Sequence, residues 1–288
     1  MVSIVGKTFA DAYRQLLDKV YREYQYETAP RGLKIREILN CTFTIENPYS
    51  NLFKNAARDL PLKYLKKELA LYFSGRQDVE GFANASKFWK HIANFDGTVN
   101  SAYGYLIFVM KDAKQGITQW DWAAQQLLND KDTRQAVMHF NRPAHQYDGV
   151  KDFPCTLELT FHIRENKLNL STVMRSNDVI KGTTFDVPFF MLLQQAMLCR
   201  LREEKYPDLQ MGKYEHLAHS MHLYESDYEL VDKMLKEDFI EDSTPILTNS
   251  SIVMNRFVKD ISEGATYMVE NHEFKENNDF MHWLVVKE

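Results

Sequence analysis

Cysteine is scarce in this chain: Cys41, Cys155 and Cys199 are all it has in 288 residues. An odd number scattered over a long chain is no disulfide framework, and free thiols fit a reduced, cytoplasmic compartment. Glycine (11) and proline (8) are too few for a linker, a repeat or a low-complexity tract. One domain over residues 1–288 is therefore expected. The loosest stretch, EDSTPILTNSS at 241–251, separates a C-terminal appendage from the main body. No apolar run approaches the ~20 residues a bilayer span needs. The opening MVSIVGKTFADAYRQLL turns amphipathic and charged too soon for a secretory signal. Nor is there a basic excess: 35 Lys and Arg stand against 40 Asp and Glu, a net charge of −5. Neither nucleic acid nor a membrane is an expected partner. A soluble enzyme or binding protein is.

What is present reads as interspersed helices and strands. Phe9, Tyr13, Leu16, Leu17, Val20 and Tyr24 form one stripe and predict a helix over 8–24. A loop at Pro30, Gly32 and Lys34 precedes a β-like run at 38–45. Helices are expected at 62–73, 85–93 and 119–129. The clearest strand is 155–163, where Leu157, Leu159, Phe161 and Ile163 alternate with polar residues. A polar turn at 164–167 and a return strand through Leu168, Leu170 and Met174 complete a hairpin. Asp186 and Pro188 mark the start of an apolar helix over 187–203. A strand at 219–224 and a helix at 225–239 follow. The pattern predicts an α+β fold with a mixed sheet.

Several polar residues stand out as candidates for chemistry. Cys155 lies in Phe-Pro-Cys, where a proline-fixed loop runs into the strong strand. Such a thiol can be presented to a cleft, although the commoner fate of a free cysteine is to be a small buried hydrophobe. Cys41 and Cys199 fall in apolar patterns and fit that plainer role. Arg175-Ser176-Asn177-Asp178 combines a guanidinium fork with a hydroxyl, the makings of a phosphate clamp, or else a solvated turn. Asp186, with proline two residues on, reads as a helix N-cap. His216, His219 and His222 imitate a metal site, but on a strand His219 faces away from the other two, so no metal is expected. Glu68 could be a surface helix charge paired with a lysine, and Arg134, His139 and Arg142 ordinary surface groups.

Taken in order, these pieces resemble the thymidylate synthase family. They are Glu-Leu-x-x-Tyr-Phe from Glu68, Trp89, Asn-Ser-Ala-Tyr-Gly at 100–104 and Thr-Arg at 133–134. Phe-Pro-Cys at 153–155, Arg-Ser-Asn-Asp-Val at 175–179 with Gly182, and His-Leu-Tyr at 222–224 complete the series. The resemblance covers roughly 30–240 and leaves 243–288 as a divergent tail. It is nearest to the deoxycytidylate hydroxymethylase branch on three grounds. Thr156 follows the cysteine where synthases usually carry His. Asn177 stands where they commonly carry Ala. Asp186 stands where they carry an Asn that reads uracil. An amide complements the O4 acceptor and N3 donor of uracil. A carboxylate accepts from the N4 amine and from a protonated N3 of cytosine.

The resemblance implies a large mixed sheet packed with helices, and a homodimer through that sheet with shared active sites. It implies conversion of dCMP, water and 5,10-methylenetetrahydrofolate to 5-hydroxymethyl-dCMP and tetrahydrofolate, with no metal. Cys155 would be the nucleophile, Glu68 the organiser of proton transfer and water, and Asp186 the reader of the base. Arg175, Ser176 and Asn177 would bind nucleotide, with Arg134 reaching the partner subunit's phosphate. Gln135 replaces a second family arginine there, and Arg142 would compensate. His222 and Tyr224 would hold the 3′-hydroxyl. Asp178, Trp89 and Tyr103 would meet the folate, and Arg31 and Lys34 lie in a loop similar to the family's N-terminal phosphate loop. Phage DNA modification is the implied setting, in the host cytoplasm. Alternatives are a dUMP-directed thymidylate synthase or hydroxymethylase, a CMP hydroxymethylase, and a non-catalytic nucleotide-binding protein on the same fold.

Overall fold

The computed structural model describes residues 2–251 and 278–285. In chain order the elements are β1 (Val2–Gly6), α1 (Phe9–Arg22), β2 (Tyr26–Thr28), β3 (Ile35–Ile45), β4 (Leu52–Lys54), α2 (Leu62–Ser74), α3 (Val79–Ala85), α4 (Phe88–Ile92), α5 (Tyr103–Phe108), α6 (Gln119–Asn129) and β5 (Val137–His139). There follow β6 (Thr156–Arg164), β7 (Lys167–Met174), β8 (Asn177–Asp178), α7 (Thr183–Glu204), β9 (Gln210–Tyr224), α8 (Tyr228–Met234), β10 (Ile240–Asp242) and α9 (Asn278–Val285). They fall into two compact units. The first holds Met1–Leu60, Cys155–Gln194 and Gln210–Thr244, the second Pro61–Pro154, Gln195–Leu209 and Pro245–Glu288.

The first unit is built on a mixed sheet in the order β1-β3-β9-β7-β6. β1 runs parallel to β3, β3 antiparallel to β9, β9 parallel to β7, and β7 antiparallel to β6. The short β8 adds parallel to β9, pairing Asn177 with Met221 and Asp178 with His222. α1 supplies the apolar stripe the sequence predicts: Phe9, Tyr13, Leu16, Leu17 and Val20 are all fully buried. Thr8 caps it, its hydroxyl accepting the Asp11 N–H at 3.2 Å. The hairpin of β6 and β7 sits where alternation places it, turning at Glu165 and Asn166, both with positive φ.

The second unit is mainly helical. α2 buries Leu65, Leu69 and Phe73, and α9 sets Phe280 edge-on to Phe73 at 6.5 Å. α5 approaches α2 closely enough that a Cβ on Gly104 would lie 1.7 Å from the Tyr72 carbonyl oxygen. α6 occupies 119–129 as expected, capped by Thr118, whose Oγ1 accepts the Asp121 N–H.

Four expected elements differ. The strand expected at 219–224 is only the end of β9, which begins at Gln210. The helix at 85–93 is instead α3 and α4, broken at Ser86. That residue is extended (φ −151°, ψ 135°), and its hydroxyl accepts the Phe88 N–H, a local bond that competes with helix continuation. The 225–239 helix is only α8, preceded by a 3-10 turn at Glu225–Asp227. The helix placed at 187–203 begins at Thr183, four residues early. Its first bonds run from the Phe185 and Asp186 N–H groups to Gly182 O, so Asp186 lies inside the first turn and is not the N-cap. Pro188 is the sixth helical residue and so no marker of the start.

The 241–251 stretch is well tied down. Asn51 and Thr244 exchange two hydrogen bonds at 2.8 and 2.9 Å, and the Leu247 N–H donates to Gln195. Of the expected divergent tail, residues 252–277 and 286–288 lie outside the described residues.

Candidate active site

The hairpin sets the centre of the first unit. Since Thr156 pairs with Met174, the next pair outward is Cys155 and Arg175, and the Arg175 N–H donates to Cys155 O at 2.8 Å. The side chains meet as well: Arg175 Nη2 donates to Cys155 Sγ at 3.4 Å. Both residues are partly exposed. A guanidinium on the sulfur favours negative charge there, the condition for a nucleophilic thiolate. Cys41 and Cys199 are buried, and burial pushes each thiol up to about 11. They are inert hydrophobes, as their patterns suggested.

Immediately after Arg175 the chain crosses to β9. Ser176 Oγ lies 3.4 Å from His222 Nδ1, and the Tyr224 ring stands edge-on to His222 at 5.2 Å. His222 is 7% exposed. Burial pulls its imidazole below the ordinary value, while the neighbouring Asp178 carboxylate pulls the other way. Asp178 Oδ1 accepts the N–H groups of Ile180 and Lys181 at 2.7 and 3.0 Å, which closes the turn into α7. Among the described residues nothing donates to its Oδ2.

The same turn delivers Asp186. Asn177 Nδ2 donates to Asp186 Oδ2 at 2.9 Å. Burial, against that hydrogen bond and with the Asp178 charge adding to it, raises the Asp186 carboxyl from 3.8 to about 7. Some of its surface nonetheless remains open. The turn is pinned from behind by two residues the sequence reading did not select. Tyr13 Oη donates to Val179 O, and Arg58 Nη2 to Ile180 O, both at 2.8 Å. A tyrosine in an otherwise apolar stripe was the available signal for Tyr13, because a buried phenol needs a partner. Arg58 carries no such signal.

The three histidines of the metal look-alike go separate ways. His216 is buried, stacked on Phe43 at 4.7 Å with Nδ1 on Tyr214 Oη, and burial lowers it to about 3. His219 bonds Asn40, and His222 faces Ser176. Among the described residues no three His, Cys, Asp or Glu side chains converge as a metal site.

The remaining candidates lie in the second unit. Glu68 is 8% exposed and accepts from Tyr64 Oη at 2.8 Å, so it is a buried carboxyl rather than a solvated helix charge. Trp89 packs edge-on to Phe82, and Tyr103 lies between Tyr72 and Phe140; both are buried. Arg142 is partly buried with its Nε unpartnered, and its backbone N–H donates to His145. Arg134 is exposed. In the first unit Arg31 sits in a left-handed turn (φ 54°), and Lys34 pairs with Glu225 at 3.5 Å on the surface.

The first unit thus brings together a thiol backed by Arg175, a serine facing a histidine, and a carboxyl in the first turn of α7 held by Asn177. The model of the thymidylate synthase family matches residues 11–273, and the chain belongs to that family. The deoxycytidylate 5-hydroxymethyltransferase of Enterobacteria phage T4 is 28% identical over 223 residues, 75% of this chain and 86% of that protein. The deoxyuridylate hydroxymethyltransferase of Bacillus phage SP01 is 27% identical over 263 residues, 86% of this chain and 66% of that one. In three dimensions the chain is similar to thermostable thymidylate synthase A from Bacillus subtilis. The TM-score is 0.63 at 18% identity, over 81% of this chain and 86% of that one. The α+β thymidylate synthase fold is thereby established. No helix among the described residues is long and apolar enough to cross a membrane.

Proposed function

We propose that the protein is a dCMP 5-hydroxymethyltransferase, active as a homodimer with shared sites. The observation that carries this is the Asp186 carboxyl, partly open and held by Asn177, in the position where uracil-reading family members carry an amide. The phage T4 relative is named for the same reaction.

Cys155 Sγ adds to C6 of the cytosine, with Arg175 beside the sulfur. A proton must reach N3 as the ring takes up the sulfur electrons. A carboxyl near 7 is matched to give it, since a general acid works best close to the ambient pH. Asp186 then stands ionised against two donors, N3–H and the N4 amine. C5, now nucleophilic, takes up a one-carbon unit that methylenetetrahydrofolate supplies. Loss of the C5 proton and departure of tetrahydrofolate as the free amine leave an exocyclic methylene, water adds to it, and expulsion of the Cys155 thiolate, with return of the N3 proton to Asp186, restores the ring. Glu68, buried and hydrogen-bonded to Tyr64, orders the water and the proton transfer at that stage.

Arg175 and Ser176 bind the 5′-phosphate, joined by Arg134 of the second subunit, with Arg142 assisting. His222 and Tyr224 take the 3′-hydroxyl. For the folate, the Asp178 Oδ2 suits an amine or ring N–H, and Trp89 and Tyr103 offer aromatic surface.

A uracil-directed reaction is the second reading. It draws support from the phage SP01 relative, and from the fact that a neutral carboxylic acid presents one donor and one acceptor, as an amide does. Turnover with methylenetetrahydrofolate and each of dCMP, CMP and dUMP tests the choice, with mass spectrometry of the product. Hydroxymethyl product from dCMP in preference to the other two supports the proposal. Preference for dUMP, or a methyl product, overturns it.

A further inference from the structure

Asp186 cannot select cytosine by charge alone. With the carboxyl raised to about 7, neutral and ionised forms coexist at neutral pH. The neutral form is ambiguous: a proton on one oxygen complements cytosine, and a proton on the other complements uracil. What removes the ambiguity must fix the proton to one oxygen.

Asn177 is placed to do so. Its side chain is 2% exposed and turned inward, with Nδ2 donating to Asp186 Oδ2 at 2.9 Å. Its other end is held too: Thr183 Oγ1, fully buried, donates to Asn177 Oδ1 at 2.5 Å. That contact orients the amide, because a hydroxyl donor on Oδ1 leaves Nδ2 as the atom facing Asp186. The same hydroxyl lies 3.2 Å from Asp178 O, which anchors it to the turn. Gly182 makes room, since a Cβ there would stand 2.9 Å from Asn177 Nδ2. Among the described residues Oδ1 of Asp186 receives no hydrogen bond.

We propose that Asn177, oriented by Thr183, is the positioning residue that keeps Asp186 Oδ2 an acceptor and sends the acid proton to Oδ1, so that the neutral acid fits cytosine and not uracil. This rests on the dCMP reading and specifies its discrimination. Oδ2 accepts from the exocyclic amine of cytosine together with Asn177, using both lone pairs. Oδ1–H donates to N3. Uracil would need a proton on Oδ2 to meet O4, where the Asn177 N–H already points. The titratable groups that act on or feel the Asp186 charge are Asp178 in the turn and the neutral, buried phenol of Tyr214 on β9. Neither supplies a donor to Oδ2. Asn177 touches no reacting atom and acts through Asp186.

The test compares kcat/KM for dCMP and dUMP at pH 7 in wild type, Asn177→Ala, Thr183→Val, Thr183→Ser and Asp186→Asn. Asn177→Ala is expected to lower the dCMP:dUMP ratio about tenfold or more, by freeing the proton to choose its oxygen. Thr183→Val should move the ratio in the same direction by less, and Thr183→Ser, which keeps the hydroxyl, should restore it. Loss of packing alone would depress both substrates together and leave the ratio unchanged, which overturns the proposal. Asp186→Asn separates the two levels of the argument. If it shifts the ratio toward dUMP while Asn177→Ala does not, the Asn177 role fails and the base reading stands. If it does not shift the ratio, both fail, whatever Asn177→Ala does. Should Asn177→Ala not fold, Thr183→Val against Thr183→Ser decides by the same criterion.

Discussion

Replacing Asp186 by Asn should stabilise the protein, and by an amount that grows with pH. A buried carboxyl with its pKa raised binds a proton more tightly folded than unfolded. Below the unfolded value of 3.8 both states are protonated and the group contributes nothing. As pH rises from 3.8 to about 7, the unfolded chain releases its proton freely while the folded one must be forced to. Stability is lost through that window and levels off above it. The full gap corresponds to about 4 kcal/mol at ~1.36 kcal/mol per pH unit, and to about 2 once the partial exposure of the carboxyl is allowed for. An amide of the same shape escapes the penalty and still accepts from Asn177 Nδ2. Denaturant unfolding of both proteins at pH 5 and pH 8, at one protein concentration, reads the effect directly. The advantage of Asp186→Asn should be larger at pH 8 by about 1–3 kcal/mol. An advantage that is constant with pH would show that Asp186 is ordinarily ionised in the fold, and would remove the general-acid role given to it.

Cys155→Ser should abolish turnover while nucleotide binding persists, because a hydroxyl is a far poorer nucleophile at neutral pH; single-turnover product above a few per cent would refute the assignment. Arg134→Ala and Cys155→Ala should each be inactive alone, yet mixed subunits should recover activity at one intact site. Mixed dimers that assemble and stay inactive would show that Arg134 does not act across an interface. Gly104→Ala should destabilise the second unit severely, by about 3 kcal/mol or more, since its Cβ would lie 1.7 Å from Tyr72 O; a thermal midpoint within a few degrees of wild type would contradict the close approach of α5 to α2.

The parts of this fold that could be read in the sequence are those where one face is buried and one is not. The β6–β7 hairpin and α1 carry clean periods of two and 3.6, because each lays a single face on the core. α7 is buried nearly all round, so its residues mark no face, and Asp186 and Pro188 were the punctuation visible. Proline misplaced the start because the true signal is three-dimensional. Gly182 accepts the first helical bonds at the end of a turn that Asp178 closes onto its own side chain. β1 was missed for a similar reason: five residues on a sheet edge gain their identity from pairing with β3, not from their own pattern.

The same distinction governs the site. Cys155, Arg175 and Ser176 were legible because the hairpin register alone brings Cys155 opposite Arg175. The sequence also gave Asp186 two roles, a helix cap and a base reader, and the structure removes the first by placing it inside the helix. What no spacing rule could supply is the link from Asn177 to Asp186. The two are nine residues apart, on a strand of two residues and a helix turn, and they meet because Gly182 lacks a Cβ and Thr183 turns the amide. A carboxyl so placed carries no fixed charge of its own. Its chemistry is set by the donor that faces it, so the identity of the residue at 186 is by itself an incomplete statement of which base the enzyme reads.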